Sequence, residues 1–302
     1  MKDAEMPEKI AELKKQRKAV ILAHNYQLPE IQDIADYLGD SLELSRMAAK
    51  TDAEVVVFCG VHFMAETASI ICPDKKVLLP DINAGCPLAN MITPSDVRKL
   101  KEKYPGRPVV SYVNTSAEVK AETDVACTSA NAIKVINSIK DDEIIFVPDK
   151  YLADYVRKQT GKRIIHWEGY CPTHVKILPE DVSAAKKAHP GARVMVHPEC
   201  RSDVIDMADA VISTSGMVRY VKEADGREFI IGTETGLIHR LKKENPGKEF
   251  FPASPHAVCP NMKSITLEKV LWSLEDMKPE VSVPENIRKA ALRSVNRMLE
   301  LA

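Results

Sequence analysis

The chain has 302 residues, with 42 basic and 43 acidic side chains and a formal net charge of -1. That balance excludes a dedicated surface for nucleic acid or an anionic membrane, and no apolar run approaches the roughly 18 residues that span a bilayer. With 45% hydrophobic residues the chain can bury real cores, and its length is expected to divide into two or three domains of roughly 100–200 residues each.

The first predicted element is an amphipathic helix over 6–17, with Ile10 and Leu13 on its apolar side. This lysine- and glutamate-rich start lacks the apolar centre of a signal peptide, so a cytoplasmic location is expected. An apolar strand begins at Ala19 and ends in His24 and Tyr26. Asp40-Ser41 opens a helix, and Asp40-Ser-Leu-Glu43 fits a capping box. A strand over 54–58, a helical segment through Met64 and a strand from Lys76 lead to Cys86-Pro87. After a connecting helix over 94–104 the series restarts. A strand from Pro108 ends in Tyr112 and Asn114, a helix start follows at Thr128-Ser129, and a strand spans 143–147. Leu152, Arg163 and Cys171-Pro172 complete the second pass. A second connecting helix over 179–189 precedes the third pass. There a strand from Arg193 ends in His197 and Glu199, and Ser213-Thr214, a strand over 228–231, Leu237, Lys248 and Cys259-Pro260 follow. An amphipathic helix over 284–301 carries Ile287, Ala291, Val295 and Leu299 at helical spacing.

The three passes keep their offsets. Ser41, Ser129 and Thr214 lie 88 and 85 positions apart, and Cys86, Cys171 and Cys259 lie 85 and 88 apart. Strands alternating with helices imply βαβ units and parallel sheets. The expected architecture is α/β, with three similar small domains in pseudo-threefold symmetry around a central active site. Their predicted bounds are 1–92, with the N-terminal helix, 93–178, and 179–302, with the C-terminal helix.

In such sheets ligands bind beyond the carboxyl ends of the strands, and the repeated polar residues all fall there. The chain has 7 cysteines, an odd number, with no C-x-x-C pair, which favours free thiols in a reducing compartment. It has 12 glycines and neither a G-x-G-x-x-G nor a P-loop pattern. Three thiolates in symmetric loops, Cys86, Cys171 and Cys259, suit a [4Fe–4S] cluster with one open iron; zinc with three cysteines and a histidine is the other option. Cys72 also precedes a proline but has no counterpart in the other passes. Cys59, Cys127 and Cys200 read as structural. The pairs His24/Tyr26, Tyr112/Asn114 and His197/Glu199 are spaced i, i+2, so each should point to one side. Glu199 beside His197 is a natural acid/base pair, and Tyr26 is placed to donate a proton or bind a substrate oxygen. Ser41, Ser129 and Thr214, in first turns of helices, are expected to bind anionic groups, with His174 and Lys176 adding positive charge.

The segments AHNYQ through Tyr26, YVNTSAEVKA from Tyr112, HPEC from His197, STSGM from Ser213 and GTETGLIHRL from Gly232 resemble the quinolinate synthase family, the A proteins of de novo NAD biosynthesis. So do the Cys-Pro sites in AGCPLA, YCPTH and AVCPNMK, and the likeness runs over essentially the whole chain. The resemblance implies a central [4Fe–4S] cluster on Cys86, Cys171 and Cys259. It implies condensation of iminoaspartate with dihydroxyacetone phosphate to quinolinate, phosphate and two waters, with an aspartate oxidase supplying the iminoaspartate. By motif position it makes Tyr26 and Glu199 the main acid/base residues, assisted by His197 and Tyr112. It assigns His24, Ser41, Asn114, Ser129 and Thr214 to substrate carboxylate or phosphate groups. An aconitase-type hydro-lyase for another small acid and a non-enzymatic metal protein are the competing readings.

Overall fold

The structure is a computed structural model that describes residues 5–301. Each pass of the repeat folds into one four-stranded parallel sheet. The first sheet holds β1 (Ala19–His24), β2 (Tyr37–Gly39), β3 (Val55–Cys59) and β4 (Lys76–Leu78). The second holds β5 (Val109–Tyr112), β6 (Val125–Cys127), β7 (Glu143–Val147) and β8 (Arg163–His166). The third holds β9 (Arg193–Val196), β10 (Ala210–Val211), β11 (Glu228–Gly232) and β12 (Glu249–Pro252). The strand order is the same each time: β2-β1-β3-β4, β6-β5-β7-β8 and β10-β9-β11-β12. The chain is therefore α/β with three similar small units, as the offsets predict. All five residues of β3 are buried, as are four of the five in β7 and in β11. Strands covered on both faces have no polar side to show, which is why they read as unbroken Val/Ile/Phe runs.

Each sheet has one strand more than the sequence pattern predicts. The additions are the edge strands β2, β6 and β10, two or three residues long and too short to show a period. An aspartate anchors each one. Asp36, Asp124 and Asp209 accept the backbone N–H of Ile21, Val109 and Val194 at 2.8, 2.7 and 2.7 Å. These contacts sit at the same place in every unit and fix the edge where pairing is shortest.

The connecting helices do not cover the units they leave. Val97, on the helix Pro94–Lys103, packs with Val109, Ile145 and Val147 of the second sheet. Val182, on Pro179–Ala188, packs with Val194, Val196 and Ile230 of the third. Val270, Leu271 and Leu274, on Leu267–Asp276, return to the core of the first unit, beside the helix Met6–Gln16. The C-terminal helix Glu285–Glu300 packs on the helices His62–Ile71 and Ala117–Ala121, one from each of the first two units. Two helices within the expected third domain, 179–302, thus pack on the other two units, because their apolar faces match surfaces there.

The first two units share one continuous apolar core, whereas the third has separate clusters of its own. Polar contacts also join it to the first unit. Glu43 reaches Ser215 and Arg219, and Asp33 pairs with His239 and Lys243. Among the described residues, no helix is long and apolar enough to cross a membrane.

Candidate active site

The carboxyl ends of β1, β5 and β9 face one cavity of about 170 Å³. Every residue assigned to the site from the sequence lines it. The first unit supplies His24, Tyr26, Ser41 and Cys86. The second supplies Tyr112, Asn114, Ser129, Cys171 and His174, and the third supplies His197, Glu199, Thr214 and Cys259. Lys176 also reaches it.

The i, i+2 pairs do face one side, but not because both members lie in a strand. His24 and Tyr112 are the last residues of β1 and β5, and His197 follows β9; their partners sit on the turn beyond. The turn itself aligns two of the pairs. The backbone N–H of Tyr26 donates to His24 Nδ1 at 3.2 Å, and that of Glu199 points to His197 Nδ1 at 3.3 Å. The rings of His24 and Tyr26 meet edge to face with centroids 4.5 Å apart.

Glu199 is the centre of the polar cluster. Its Oε2 lies 3.1 Å from His174 Nδ1 and 3.2 Å from His197 Nδ1. The two imidazole rings stack at 4.6 Å. His197 Nε2 reaches Ser129 Oγ at 3.1 Å, and Asn114 Nδ2 reaches Glu199 Oε1 at 3.4 Å.

Two of the three expected helix starts are present. Asp40 caps the helix Ser41–Lys50, accepting from the N–H of Leu42 and Glu43 at 3.1 Å. The reciprocal half of the capping box is not made, since Glu43 turns instead to Ser215 and Arg219 of the third unit. Ser213 caps Thr214–Glu223, accepting from Gly216 N–H at 3.2 Å. The second unit differs. Asn131 Oδ1 accepts from Thr128 N–H at 2.8 Å, closing a turn, and the helix begins only at Ala132. Thr128 is therefore not an N-cap, and Ser129 offers a turn hydroxyl rather than a helix start.

Cys86, Cys171 and Cys259 are free thiols on the cavity wall. Each precedes a short 3-10 turn: Ala89–Met91, His174–Lys176 and Met262–Ser264. Burial pushes the Cys86 thiol up to about 12, and burial with the nearby Glu199 charge raises Cys171. Thiols raised in this way become thiolates most readily by binding a metal, which supplies the missing positive charge. Cys171, His174 and Glu199 also bring one ligand atom each within 4.8 Å of one another. Cys72 donates to the Ala48 carbonyl at 3.0 Å, away from the cavity, and Cys59, Cys127 and Cys200 are buried packing residues.

The model of the family described as "NadA: Quinolinate synthetase A protein" matches residues 8–300. The chain belongs to the NadA family. It is 60% identical to the quinolinate synthase of Dehalococcoides mccartyi strain CBDB1, over 97% of both chains. It is 57% identical to that of Thermodesulfovibrio yellowstonii, again over 97% of both. It is 55% identical to quinolinate synthase 1 of Methanosarcina acetivorans, over 99% of this chain and 98% of that one.

The electrostatics of this NadA cavity separate its ionisable groups. Burial works to raise the Glu199 pKa, but His174 and His197 outweigh it and hold the carboxyl below the usual range. Burial, aided by His197, pushes His24 down to about 3. Burial and the Glu199 charge raise Tyr26 and Tyr112 well above the ordinary phenol value. At neutral pH the cavity therefore holds the Glu199 carboxylate, an uncharged His24 and two intact phenols.

Several polar groups at this NadA site are invisible to the repeat pattern. Thr233 lies behind the wall, between Tyr26 and His174. Its counterparts at the same offsets are Gly60 and Pro148, so symmetry gives it no weight. Asn25, fully buried, sits between the paired residues His24 and Tyr26 and bonds Thr214. Lys263 donates to the Tyr26 carbonyl and pairs with Glu234 at 3.0 Å. Glu234 in turn accepts the Cys259 N–H at 3.1 Å. The segments AHNYQ and GTETG contain Asn25 and Thr233, but nothing in their spacing marks either residue.

Proposed function

We propose that this chain condenses iminoaspartate with dihydroxyacetone phosphate, releasing quinolinate, phosphate and two waters, with a [4Fe–4S] cluster on Cys86, Cys171 and Cys259. The observation that carries this reading is the convergence of those three sulfurs, one per unit, on the cavity that holds the His174–Glu199–His197 cluster. The donor set fits such a cluster. Among the described residues no fourth cysteine lines the cavity, which suits four irons with one left without a protein sulfur. When bound, that open iron supplies Lewis acidity toward a substrate oxygen.

The chain's own groups support the rest of the chemistry. The helix starts at Ser41 and Thr214, with the turn hydroxyl of Ser129, present donors to carboxylate and phosphate oxygens. Both substrates are anions, so these donors account for recognition without a net positive charge on the protein. Glu199 is ionised at neutral pH and is the carboxylate we assign to take a proton from a substrate carbon, while the imidazoles that lower its pKa temper its strength as a base. His197 and His174 hold the carboxylate in place and stabilise its charge. His24 is uncharged and Tyr112 keeps its phenol hydrogen, so both orient substrate through neutral hydrogen bonds. Enclosure protects an imine that water would otherwise hydrolyse.

The reaction moves no net electrons, so it is a condensation with dehydrations and an elimination of phosphate. An aspartate oxidase is the natural source of the imine, and an odd number of cysteines with no C-x-x-C pair supports the reading of a reducing, cytoplasmic compartment. The test is an anaerobic quinolinate assay with an iron count on the same sample. Brown protein with about four irons per chain that forms quinolinate is the expected result. Colourless, zinc-loaded and fully active protein would overturn the cluster. Brown protein that makes no quinolinate but dehydrates another small acid would favour an aconitase-type hydro-lyase.

A further inference from the structure

Glu234 is fully buried just beyond the end of β11, and it is not among the residues that line the cavity. Both of its carboxylate oxygens are engaged. Oε1 accepts the backbone N–H of Cys259 at 3.1 Å, and Oε2 accepts that of Gly236 at 2.7 Å. Lys263 Nζ bridges the two oxygens at 3.0 and 3.2 Å and also donates to the Tyr26 carbonyl. Lys263 lies in the 3-10 turn that follows Cys259, and its own N–H returns to the Cys259 carbonyl at 3.2 Å. Asn261, on the same loop, donates to the Gly85 carbonyl at 2.6 Å, next to Cys86. The Cys259 loop is thus held by a buried carboxylate of its own unit and by two backbone carbonyls of the first unit.

The repeat does not call for this carboxylate. At the same offset the first unit has Val61, and the second has Asp149, which caps the helix Lys150–Thr160 by accepting from Leu152 N–H at 2.8 Å. Glu234 has one methylene more than Asp149 and caps no helix; Leu237–Glu244 starts without a side-chain cap. A buried carboxylate is costly unless it is paired and fully hydrogen-bonded. What it provides here is two acceptor oxygens that meet two backbone N–H groups and an ammonium at once. A glutamine in its place has one acceptor oxygen, and its amide would turn a donor toward other donors. A single rigid group therefore fixes the Cys259 backbone, and Lys263 carries that reference across the unit boundary to Tyr26.

We propose that Glu234 and Lys263 are positioning residues that hold the Cys259 loop in its ligating place and fix it relative to Tyr26. This rests on the reading of Cys259 as a cluster ligand and deepens it. Groups that orient a metal ligand from behind govern how firmly the metal is held, and here the orienting group acts on the ligand's backbone. The three ligand loops then differ in function although the repeat makes them alike. The Cys259 loop carries the strut to the first unit, whereas the Cys86 loop has the apolar Val61 at the matching place.

The test holds cluster-loaded protein anaerobically with an iron chelator and a thiol-alkylating reagent, and follows iron loss and the labelling of each cysteine by mass spectrometry. Glu234→Gln should lose iron about ten- to a hundredfold faster than wild type, with Cys259 labelled ahead of Cys86 and Cys171. Lys263→Met should show the same order of labelling with a smaller rise in rate, since Glu234 keeps its two N–H donors. It carries the test if Glu234→Gln does not fold, because the Lys263 side chain is partly exposed. Wild-type rates of iron loss in both variants overturn the proposal. So does faster loss with the three cysteines labelled together at a lowered melting temperature, which would reduce the pair to general packing. Cys259→Ala separates the two readings. If it keeps full iron, Cys259 is no ligand and the proposal falls with that reading. If it loses iron while Glu234→Gln and Lys263→Met hold theirs, the proposal alone falls.

Discussion

Asn25 donates through Nδ2 to Thr214 Oγ1 at 2.9 Å, joining the end of β1 to a helix start in the third unit. Its Oδ1 is held by Arg240 at 2.8 Å, so the amide cannot turn over without losing a charged donor. The Thr214 hydroxyl accepts from Asn25 and keeps its own hydrogen for the cavity. Asn25→Ala should therefore raise the apparent KM about tenfold, the worth of one oriented buried hydrogen bond, with iron content unchanged. Steady-state kinetics on samples of known iron content will decide. An unaltered KM would mean that Thr214 needs no aiming.

The cysteines divide by position rather than by the Cys-Pro dipeptide. Cys86→Ala, Cys171→Ala and Cys259→Ala should each give protein that has lost most of its iron and its brown colour. Cys72→Ala should keep both, because Cys72 is buried against the Ala48 carbonyl and lies off the cavity. Its cost should be limited to about 1 kcal/mol of stability. Iron counts and absorbance spectra of the four variants, prepared anaerobically side by side, make the comparison. Full iron retention in any of the first three would remove that cysteine from the ligand set.

Glu199→Gln replaces the only carboxylate between His174 and His197 with a group of the same shape that cannot take a proton. Iron content should hold, and quinolinate formation should fall by about 10²–10⁴-fold, the range for loss of a general acid/base. Wild-type turnover would take Glu199 out of the chemistry.

The buried His24 predicts a pH dependence with a definite sign. Its pKa is about 3 in the fold and 6.5 when unperturbed. Between those values the unfolded chain binds a proton that the native state does not. The contribution of neutral His24 to stability is therefore complete above 6.5 and is lost as the pH falls toward 3. From pH 7 to pH 5, metal-free wild type should lose about 2 kcal/mol more stability than His24→Gln. Denaturant titrations at the two pH values measure the difference. Equal losses in the two proteins would place the titration elsewhere.

Most of the fold and the cavity wall could be read in the sequence, because three passes at nearly constant offsets turn weak local signals into a pattern. A lone Cys-Pro or a lone His-x-Glu would have carried little. The limits of the reading have physical causes. β2, β6 and β10 are too short to show a period, and their anchors are single aspartates that look like surface residues in sequence. The helix start at Thr128 is lost because Asn131 uses its side chain to close a turn. Thr233 and Asn25 act through partners more than 50 and 180 positions away, respectively. The repeat also works against Thr233, whose equivalents are a glycine and a proline that have no hydroxyl to offer.

The connecting helices pass coverage forward, from first unit to second, from second to third, and from third back to first. For a chain made from its N-terminus this has a consequence in time. The second and third sheets receive their covering helix before their own strands are made. The first sheet must wait for Val270, Leu271 and Leu274, nearly two hundred residues after Leu78 ends it. Until then a face of the first unit is bare on the ribosome, and the distant contact that closes it comes late and slowly. The first unit is thus the earliest to be synthesised and the last to be sealed.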